Sequence, residues 1–583
     1  MRVIATAGHV DHGKSTLVLT LTGRDPDRWA EEQRRGLTIG LGFAWTTTPG
    51  GRQVAFVDVP GHERFIRTMV AGVGPAQIVM FVVAADEGWM PQSAEHLAVL
   101  DALGVRHGVI VITRCDLADP GPAARRATEE FGRTSLRDAR TVCVSARTGD
   151  GMDDLLAALD AVCAETPDPD ARGDVRLWID RSFSVRGAGT VVTGTLTAGT
   201  LRVGDNLGHR VRGLHTLDRP VEQVTAMSRV AVNLHGTDHR AFSVGDTLTT
   251  PGAWITVTEI DIAVRPTLPR EATVHIGTAA VQATVRRLGG DSARLRLARP
   301  LPLRVGDRLL VRSPGDRATV GADVLDVRPP RLTRRGEARR RDAELAELAG
   351  RPAHEIARAH LRRRVFAAET DFAAEGLPAT GRAVHGWRID PDALPKLTAR
   401  AIAATTQWLA EHPMRMAGMP LADLARAIGA PSPEVAAEVA RNAGLPVAGG
   451  RLANPARLPD AVEHAIAAVG ADLATAPFRA PTRDRLAAIG LTRQMIRAAE
   501  AAGRVLVVAR DLVLLPGDDE RALAVLAALP QPFPVAAATT ALGSTRRVVV
   551  PLLELLDAKG RTQRLPDGTR LTVDRDISPT PKG

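Results

Sequence analysis

The sequence predicts a multidomain chain built in series: an α/β domain, then two β-barrels, then a row of small helix-and-hairpin modules. Three observations carry this. Short apolar runs alternate with helical stretches through residue 172; from Val175 the pattern turns alternating and rich in Val and Thr; after Pro329-Pro330 the chain is Ala-rich with helical period, punctuated by short paired strands. A chain of 583 residues, 44% apolar, can bury several cores. No stretch approaches the ~18 to 20 uninterrupted apolar residues of a membrane span, and the opening MRVIATAGHVDHGKS lacks the pattern of a secretory leader. A cytoplasmic protein with no membrane contact is expected. Cys115, Cys143 and Cys163 have no CxxC spacing and are too few for a disulfide framework or thiolate metal cage, so all three read as packing residues.

Basic residues number 75 and acidic ones 66, a net charge of +9. Only Lys14, Lys396, Lys559 and Lys582 are lysines, so a single Arg carries little meaning and its distribution carries more. Residues 1–330 hold 39 basic and 38 acidic side chains, and the remainder holds 36 and 28. A basic back half on a neutral front half points to a polyanionic partner for the back half, the alternative being a merely soluble Arg-rich domain.

The first domain, 1–172, opens with the strand-like VIATAG, then Gly8-His9-Val10-Asp11-His12-Gly13-Lys14-Ser15-Thr16, then a helical stretch. That is strand, phosphate loop, helix. The glycines let backbone N–H groups turn onto phosphates, Lys14 can reach the β and γ oxygens, and Ser15 can offer its hydroxyl to Mg²⁺. A second strand, VAFVDV, ends at Asp58-Val-Pro-Gly61-His62, where the carboxylate can hold the metal's water shell and Gly61 can turn its N–H toward a γ-phosphate. Thr38, in Arg35-Gly-Leu-Thr38, could add a second hydroxyl to the metal when that phosphate is present. After a third strand, IVMFVVAAD, a fourth, GVIVIT, runs into Thr113-Arg114-Cys-Asp116, and a fifth, TVCVS, into Ser145-Ala146-Arg147. A carboxylate accepting from both the ring N–H and the exocyclic amine of guanine selects GTP over ATP. This order of motifs specifies a GTP- and Mg²⁺-dependent switch domain.

GHVDHGKST, DRWAEEQRRGLTIGLGFA, DVPGHERF, AADEGWMPQSAEHL and the Ser-Ala element together resemble the translational GTPases, and closest among them the selenocysteine-specific elongation factors. The resemblance spans the front 330 residues and extends more weakly to the end. It implies that His62 orients the hydrolytic water, that Asp11 sits against the phosphates, and that Val10 and Leu37 gate His62 until the ribosome engages. Where most GTPases carry Asn-Lys this chain has Thr113-Arg114, and Arg114 in place of Lys changes the group that stacks over guanine.

The alternating stretch from Val175, with Val-Gly-Asp recurring at 203–205, 244–246 and 305–307, divides into barrels at 173–254 and 255–329, which match the second and third domains of such factors. Within the first, Asp180, Arg181 and Arg229 match charged positions of the family's aminoacyl pocket. The chemistry suits selenocysteine: a selenol is more acidic than a thiol, so an Arg pair binds its anion and disfavours neutral serine.

Residues 331–341, RLTRRGEARRR, read as a linker with a solvated basic face. Beyond it, helices followed by a small hairpin recur at 385–391, 444–455, 503–516 and 560–573, giving four winged-helix modules at 330–395, 396–455, 456–517 and 518–583. In the last, Arg546 and Arg547 stand at a helix start where guanidiniums and backbone N–H groups can receive RNA phosphate. The fold class is therefore an α/β P-loop GTPase domain, two β-barrels and tandem winged helices. The resemblance implies a monomeric GTPase that carries selenocysteyl-tRNA to the ribosome at UGA codons marked by an mRNA hairpin. Another translational or sulfate-activating GTPase with an accessory tail, and a nucleic-acid-binding regulator with a vestigial GTPase, are the alternatives.

Overall fold

The computed structural model describes residues 2–26, 40–61, 66–74, 76–264, 268–313, 319–412, 415, 418–452 and 458–573. The chain divides into two compact units, Met1–Arg363 with Ala367–Thr380, and Arg364–Phe366 with Gly381–Gly583.

The first unit begins with a six-stranded sheet in the order β2-β3-β1-β4-β5-β6: β1 Arg2–Gly8, β2 Gly42–Thr47, β3 Gln53–Asp58, β4 Ile78–Ala84, β5 His107–Thr113 and β6 Arg140–Cys143. Its central strands are apolar on both faces because helices cover both; β4 is buried at every position. Leu17, Val18 and Leu155 pack one face, and Met69, Leu97 and Phe131 pack the other. Helix α1 (Lys14–Thr22) follows β1 directly, and α2 (Ile66–Val73) follows β3 after residues 59–65. Helices α3 (Pro91–Ala102), α4 (Gly121–Phe131) and α5 (Met152–Glu165) complete the α/β domain. Parallel pairing of β1 with β3 and β4 brings the loops after β1, β3 and β5 to the carboxyl edge of the sheet, where ligands of such folds bind. The edge strand β2 runs antiparallel to β3, and no sequence motif announced it.

Two β domains follow. The second forms a closed barrel from β15 (Thr256–Val264), β16 (Glu271–Ile276), β17 (Ala279–Arg287), β18 (Ser292–Pro302), β19 (Arg308–Arg312) and β20 (Thr319–Asp326). The first differs from the expected closure. Strands β7 (Arg176–Val185), β8 (Gly189–Ala198), β10 (Val211–Thr216), β11 (Arg219–Val221), β13 (Ser228–Leu234) and β14 (Thr247–Thr249) form one sheet, while β9 (Thr200–Arg202) pairs separately with β12 (Gln223–Thr225). Both pieces share one core of Leu177, Ile179, Val192, Leu201, Val224 and Val232. The unit ends with α6 (Glu337–Leu348), α7 (Ala353–Arg364) and α8 (Glu369–Glu375).

Three helices and a hairpin recur through the tail: α6 to α8 with β21 (Arg382–Val384) and β22 (Trp387–Ile389); α9 (Leu394–Glu411), α10 (Leu421–Ile428) and α11 (Pro433–Asn442) with β23 (Val447–Ala448) and β24 (Arg451–Leu452). The third and fourth rounds are α12 (Asp460–Thr475), α13 (Arg483–Ala488) and α14 (Arg493–Ala501) with β25 (Leu506–Ala509) and β26 (Leu512–Leu514), then α15 (Asp518–Ala527), α16 (Val535–Ala541) and α17 (Arg546–Ala558) with β27 (Thr562–Arg564) and β28 (Arg570–Thr572). The last two rounds share one core, with Val469, Leu514, Phe533 and Leu552 among its members.

Candidate functional site

The phosphate loop is shaped by close approach and by left-handed backbone. A Cβ on Gly8 would lie 2.1 Å from the Val82 carbonyl oxygen, and Gly13 caps α1 with φ 84°. Only glycine meets both demands cheaply. Lys14 is buried, its Nζ donating to the carbonyls of Gly8 at 3.1 Å and His9 at 2.5 Å. Gly61 closes over it: a Cβ there would come within 2.6 Å of both Lys14 Nζ and the Val10 nitrogen. Asp11 and Thr16 are exposed beside this loop.

Asp58, fully buried at the end of β3, accepts from Ser15 Oγ at 2.7 Å and from Thr6 Oγ1 at 2.6 Å, and the Thr6 hydroxyl accepts in turn from the Val59 N–H at 3.0 Å. Ser15 and Asp58 thus converge, whereas Thr38, His62 and Leu37 lie outside the described residues. The donors are hard oxygens, which suits Mg²⁺ with phosphate oxygens and water completing its shell. Among the described residues no cluster of three His, Cys, Asp or Glu competes as a metal site.

Two histidines support the loop uncharged. His96 on α3 accepts the Gly8 N–H on Nδ1 at 3.0 Å; burial, then the charge of Lys14, push its pKa down to about 3. His12 is fully buried with Nδ1 donating to Val82 O at 3.4 Å, and burial, then His9, lower it to about 4. Gln92 accepts from the Val10 N–H at 3.3 Å. Thr6, Gln92 and His96 fall within the runs VIATAG and AADEGWMPQSAEHL, but their roles are not legible there because their partners lie far away in sequence.

On the guanine side, Thr113 is buried and its hydroxyl donates to the His12 carbonyl at 2.8 Å, tying this loop to the phosphate loop. Arg114, at φ 58°, pairs with Asp86 at 2.9 Å and Glu87 at 2.7 Å and donates to the Asp11 carbonyl. Its guanidinium is thereby committed to protein partners. Asp116 is exposed at the rim and accepts from Ser145 Oγ at 2.7 Å, with Ala146 half-buried and Arg147 exposed next to it.

The three charged residues of the first β domain also meet. A register shift between Ile179 and Arg181 lets β7 present Asp180 and Arg181 toward Arg229 on β13. Arg229 grips Asp180 with both terminal nitrogens, Nη2 to Oδ1 at 3.0 Å, and Thr193 Oγ1 donates to the same carboxylate at 2.6 Å. Phe43 on β2 carries the Arg229 guanidinium 3.6 Å above its ring centre, while Arg181 donates to the Leu41 carbonyl at 2.6 Å. A cavity of about 290 Å³ lies here, lined by Phe43, Trp45, Arg181, His215, Asp218 and Arg229. Phe43 lies near the end of the motif DRWAEEQRRGLTIGLGFA, but its role is not legible there because β2 is not recognisable as a strand.

In the tail, Arg546 opens α17 and is exposed, but Arg547 donates to the carbonyls of Ala480 at 2.8 Å and Pro481 at 3.3 Å, bracing the third and fourth rounds together. The basic run at 331–341 is not wholly a solvated face. Arg341 is 3% exposed and joins Asp261 at 2.8 Å and Asp326 at 2.5 Å, welding α6 to the closed barrel. Burial alone would raise Asp326, but His360, Arg363 and Arg341 overcome it and hold the carboxyl at about 2.

The family profile of the elongation factor Tu GTP binding domain matches residues 1–165; that of the selenocysteine-specific elongation factor beta-barrel domain matches 262–331; that of the elongation factor SelB winged helix matches 524–571. A selenocysteine-specific elongation factor of Desulfomicrobium baculatum is 38% identical over 338 residues, 53% of each chain. The chain thus spans about half the length of that relative. Translation initiation factor 2 subunit gamma of Thermococcus kodakarensis is 32% identical over 53% of this chain and 92% of its own. The crystal structure of a bacterial selenocysteine-specific elongation factor superposes with a TM-score of 0.77 at 24% identity, covering 98% of this chain and 100% of that one, a likeness of fold. With a phosphate loop and a charged pocket already assembled, these matches show that the chain belongs to the translational GTPases.

Proposed function

We propose that the protein is a GTP-dependent elongation factor that delivers selenocysteyl-tRNA to the ribosome at UGA codons marked by an mRNA hairpin. The observation that carries the reading is the pairing of Arg181 and Arg229 beside a cavity shared by the GTPase domain and the first β domain. Two guanidiniums held by Asp180, Leu41 and Phe43 offer a fixed cationic surface to a selenolate. A seryl group brings no charge to it.

Lys14 exchanges its carbonyl partners for β and γ oxygens of GTP, and backbone N–H groups from Gly8 to Thr16 cradle the phosphates. Ser15, Asp58 and Thr38 hold Mg²⁺, which supplies neutralisation of phosphate charge. Thr113, Arg114, Asp116, Ser145, Ala146 and Arg147 form the guanine site, with Asp116 accepting from the base. Gly61 donates toward the γ-phosphate, and His62 orients the attacking water once the ribosome engages. The tail has four winged-helix modules with divisions near 395, 455 and 517, the last of which receives RNA through Arg546. A cytoplasmic monomer fits this role, and among the described residues no helix is long and apolar enough to cross a membrane.

A reconstituted translation reaction tests the reading. Read-through of UGA should require this protein, selenocysteyl-tRNA and the downstream hairpin together. Read-through at the same level without the hairpin removes the tail from the account.

A further inference from the structure

Sequence alone assigns the three cysteines to packing, and Cys163 does pack in the core at 1% exposure. Cys115 packs against the edge of the α/β core, and Cys143 lies outside it. Cys143 ends β6 and is exposed, and Cys115 is half-buried in the guanine loop. Parallel pairing sets Ile112 opposite Cys143, and the Cys115 N–H donates to the Val144 carbonyl at 3.3 Å, so the two loops run side by side. The Cys115 thiol donates to the Ile112 carbonyl at 3.2 Å, and Ile112 is the residue that parallel pairing sets opposite Cys143. One residue beyond Cys115 is Asp116, and two beyond Cys143 is Ser145, which donates to that carboxylate at 2.7 Å. The dithiol therefore bridges the same two loops that the guanine site bridges.

We propose that Cys115 and Cys143 form a reversible disulfide that acts as an oxidation-sensitive latch on nucleotide binding. The inference rests on the reading of Asp116 and Ser145 as part of the guanine site. The oxidant is a low-molecular-weight disulfide. With the disulfide, the exposed Cys143 loses its proton and attacks one oxidant sulfur, expelling a thiolate and leaving a mixed disulfide. Cys115, deprotonated in turn, attacks the Cys143 sulfur and expels the second thiolate. One S–S bond forms in the protein, one is broken in the oxidant, and two protons pass to the two released thiols. Burial raises both thiols, Cys115 to about 11, so the pair is protonated at neutral pH and closes faster as pH rises.

Closing the bond fixes the sulfurs at about 2.05 Å and ties the two loops together. That constraint acts on Asp116, the next residue, and moves its carboxylate from the base, where a misplacement of about 1 Å is costly.

The full-length protein is treated with oxidised glutathione, mapped by mass spectrometry, and titrated with fluorescent GDP. The map should show a Cys115–Cys143 crosslinked peptide lighter by two hydrogens. Oxidised protein should bind GDP at least roughly tenfold more weakly, with affinity restored by dithiothreitol. Cys143→Ser, and independently Cys115→Ser, should bind GDP normally and keep that affinity through oxidation. Absence of the crosslink, a crosslink without loss of affinity, or an equal loss in both serine variants overturns the latch. Failure of the guanine-site reading shows separately, as reduced protein that does not prefer GDP over ADP.

Discussion

Replacing Arg229 by alanine separates what the residue does for the fold from what it does for the ligand. The change removes both contacts to Asp180, the 3.3 Å hydrogen bond to Thr193 Oγ1 and the stack 3.6 Å above Phe43. The Arg229 and Asp180 side chains are 15% and 7% exposed, so solvent screens the pair little. Stranding a buried carboxylate costs ~3 to 5 kcal/mol. The surviving Thr193 hydroxyl bond brings the expected loss of stability to about 2 to 3 kcal/mol. For the ligand, a charge-assisted hydrogen bond to a selenolate contributes ~1.5 to 3 kcal/mol, a factor of roughly 10 to 150 in affinity. Arg229→Ala should therefore weaken GTP-dependent binding of selenocysteyl-tRNA by that factor and of seryl-tRNA by less than about threefold. Arg229→Lys keeps the charge and loses the fork, so it should fall between. Titration with both aminoacylated forms of one tRNA is the assay, with denaturant unfolding as the measure of the fold. Equal losses for the two ligands would refute the pocket and leave Arg229 as a strut between Asp180 and Phe43.

Other outcomes follow from the remaining parts of the site. Lys14→Ala should lose nucleotide affinity, whereas His62→Ala should bind GTP nearly normally and slow ribosome-stimulated hydrolysis by orders of magnitude; hydrolysis at the parental rate would remove His62 from catalysis. In the full chain, Arg546→Ala should cost the mRNA hairpin complex ~1 to 3 kcal/mol and lower its salt slope by about 1. Arg547→Ala should act differently, exposing the segment around Ala480 to protease, because its guanidinium holds the carbonyls of Ala480 and Pro481. Acid should destabilise the nucleotide-free protein through His12 and His96. Their folded pKa values, about 4 and about 3, lie below the unfolded value of 6.5, so the unfolded chain takes up protons first. Stability should fall as pH drops below 6.5 by about 1.4 kcal/mol per unit for each histidine, levelling near the folded values. A flat profile from pH 6.5 to 4.5 would contradict the neutral, buried assignment.

What the sequence revealed was what is contiguous. The phosphate loop, Asp58 with Gly61, Thr113 to Asp116 and Ser145 to Arg147 each sit in one short run, and backbone geometry requires their glycines where they stand. What stayed hidden depends on contacts across the fold. Thr6 looks like one more small residue in a strand until its hydroxyl is found between Asp58 and Val59. Phe43 lies near the end of the motif DRWAEEQRRGLTIGLGFA, yet it sits in GFAWTT, an edge strand whose half-exposed pattern gives no clear period, so nothing in the sequence placed its ring beneath Arg229. Charge runs misled for a related reason: composition cannot tell Arg341, buried against two carboxylates, from the arginines preceding it. The first β domain was expected to close like the second, yet its β9–β12 ribbon stands outside the main sheet, since alternation reports burial of one face and not which strands pair.

The central claim is that the GTP-loaded protein selects the selenocysteyl group. Its most direct test is the affinity of the wild-type chain for one tRNA body charged with selenocysteine or with serine, measured with GTP and again with GDP. Tight binding of the selenocysteyl form with GTP, and weak binding in the other three combinations, is the predicted result. Equal binding of the two charged forms with GTP would contradict it.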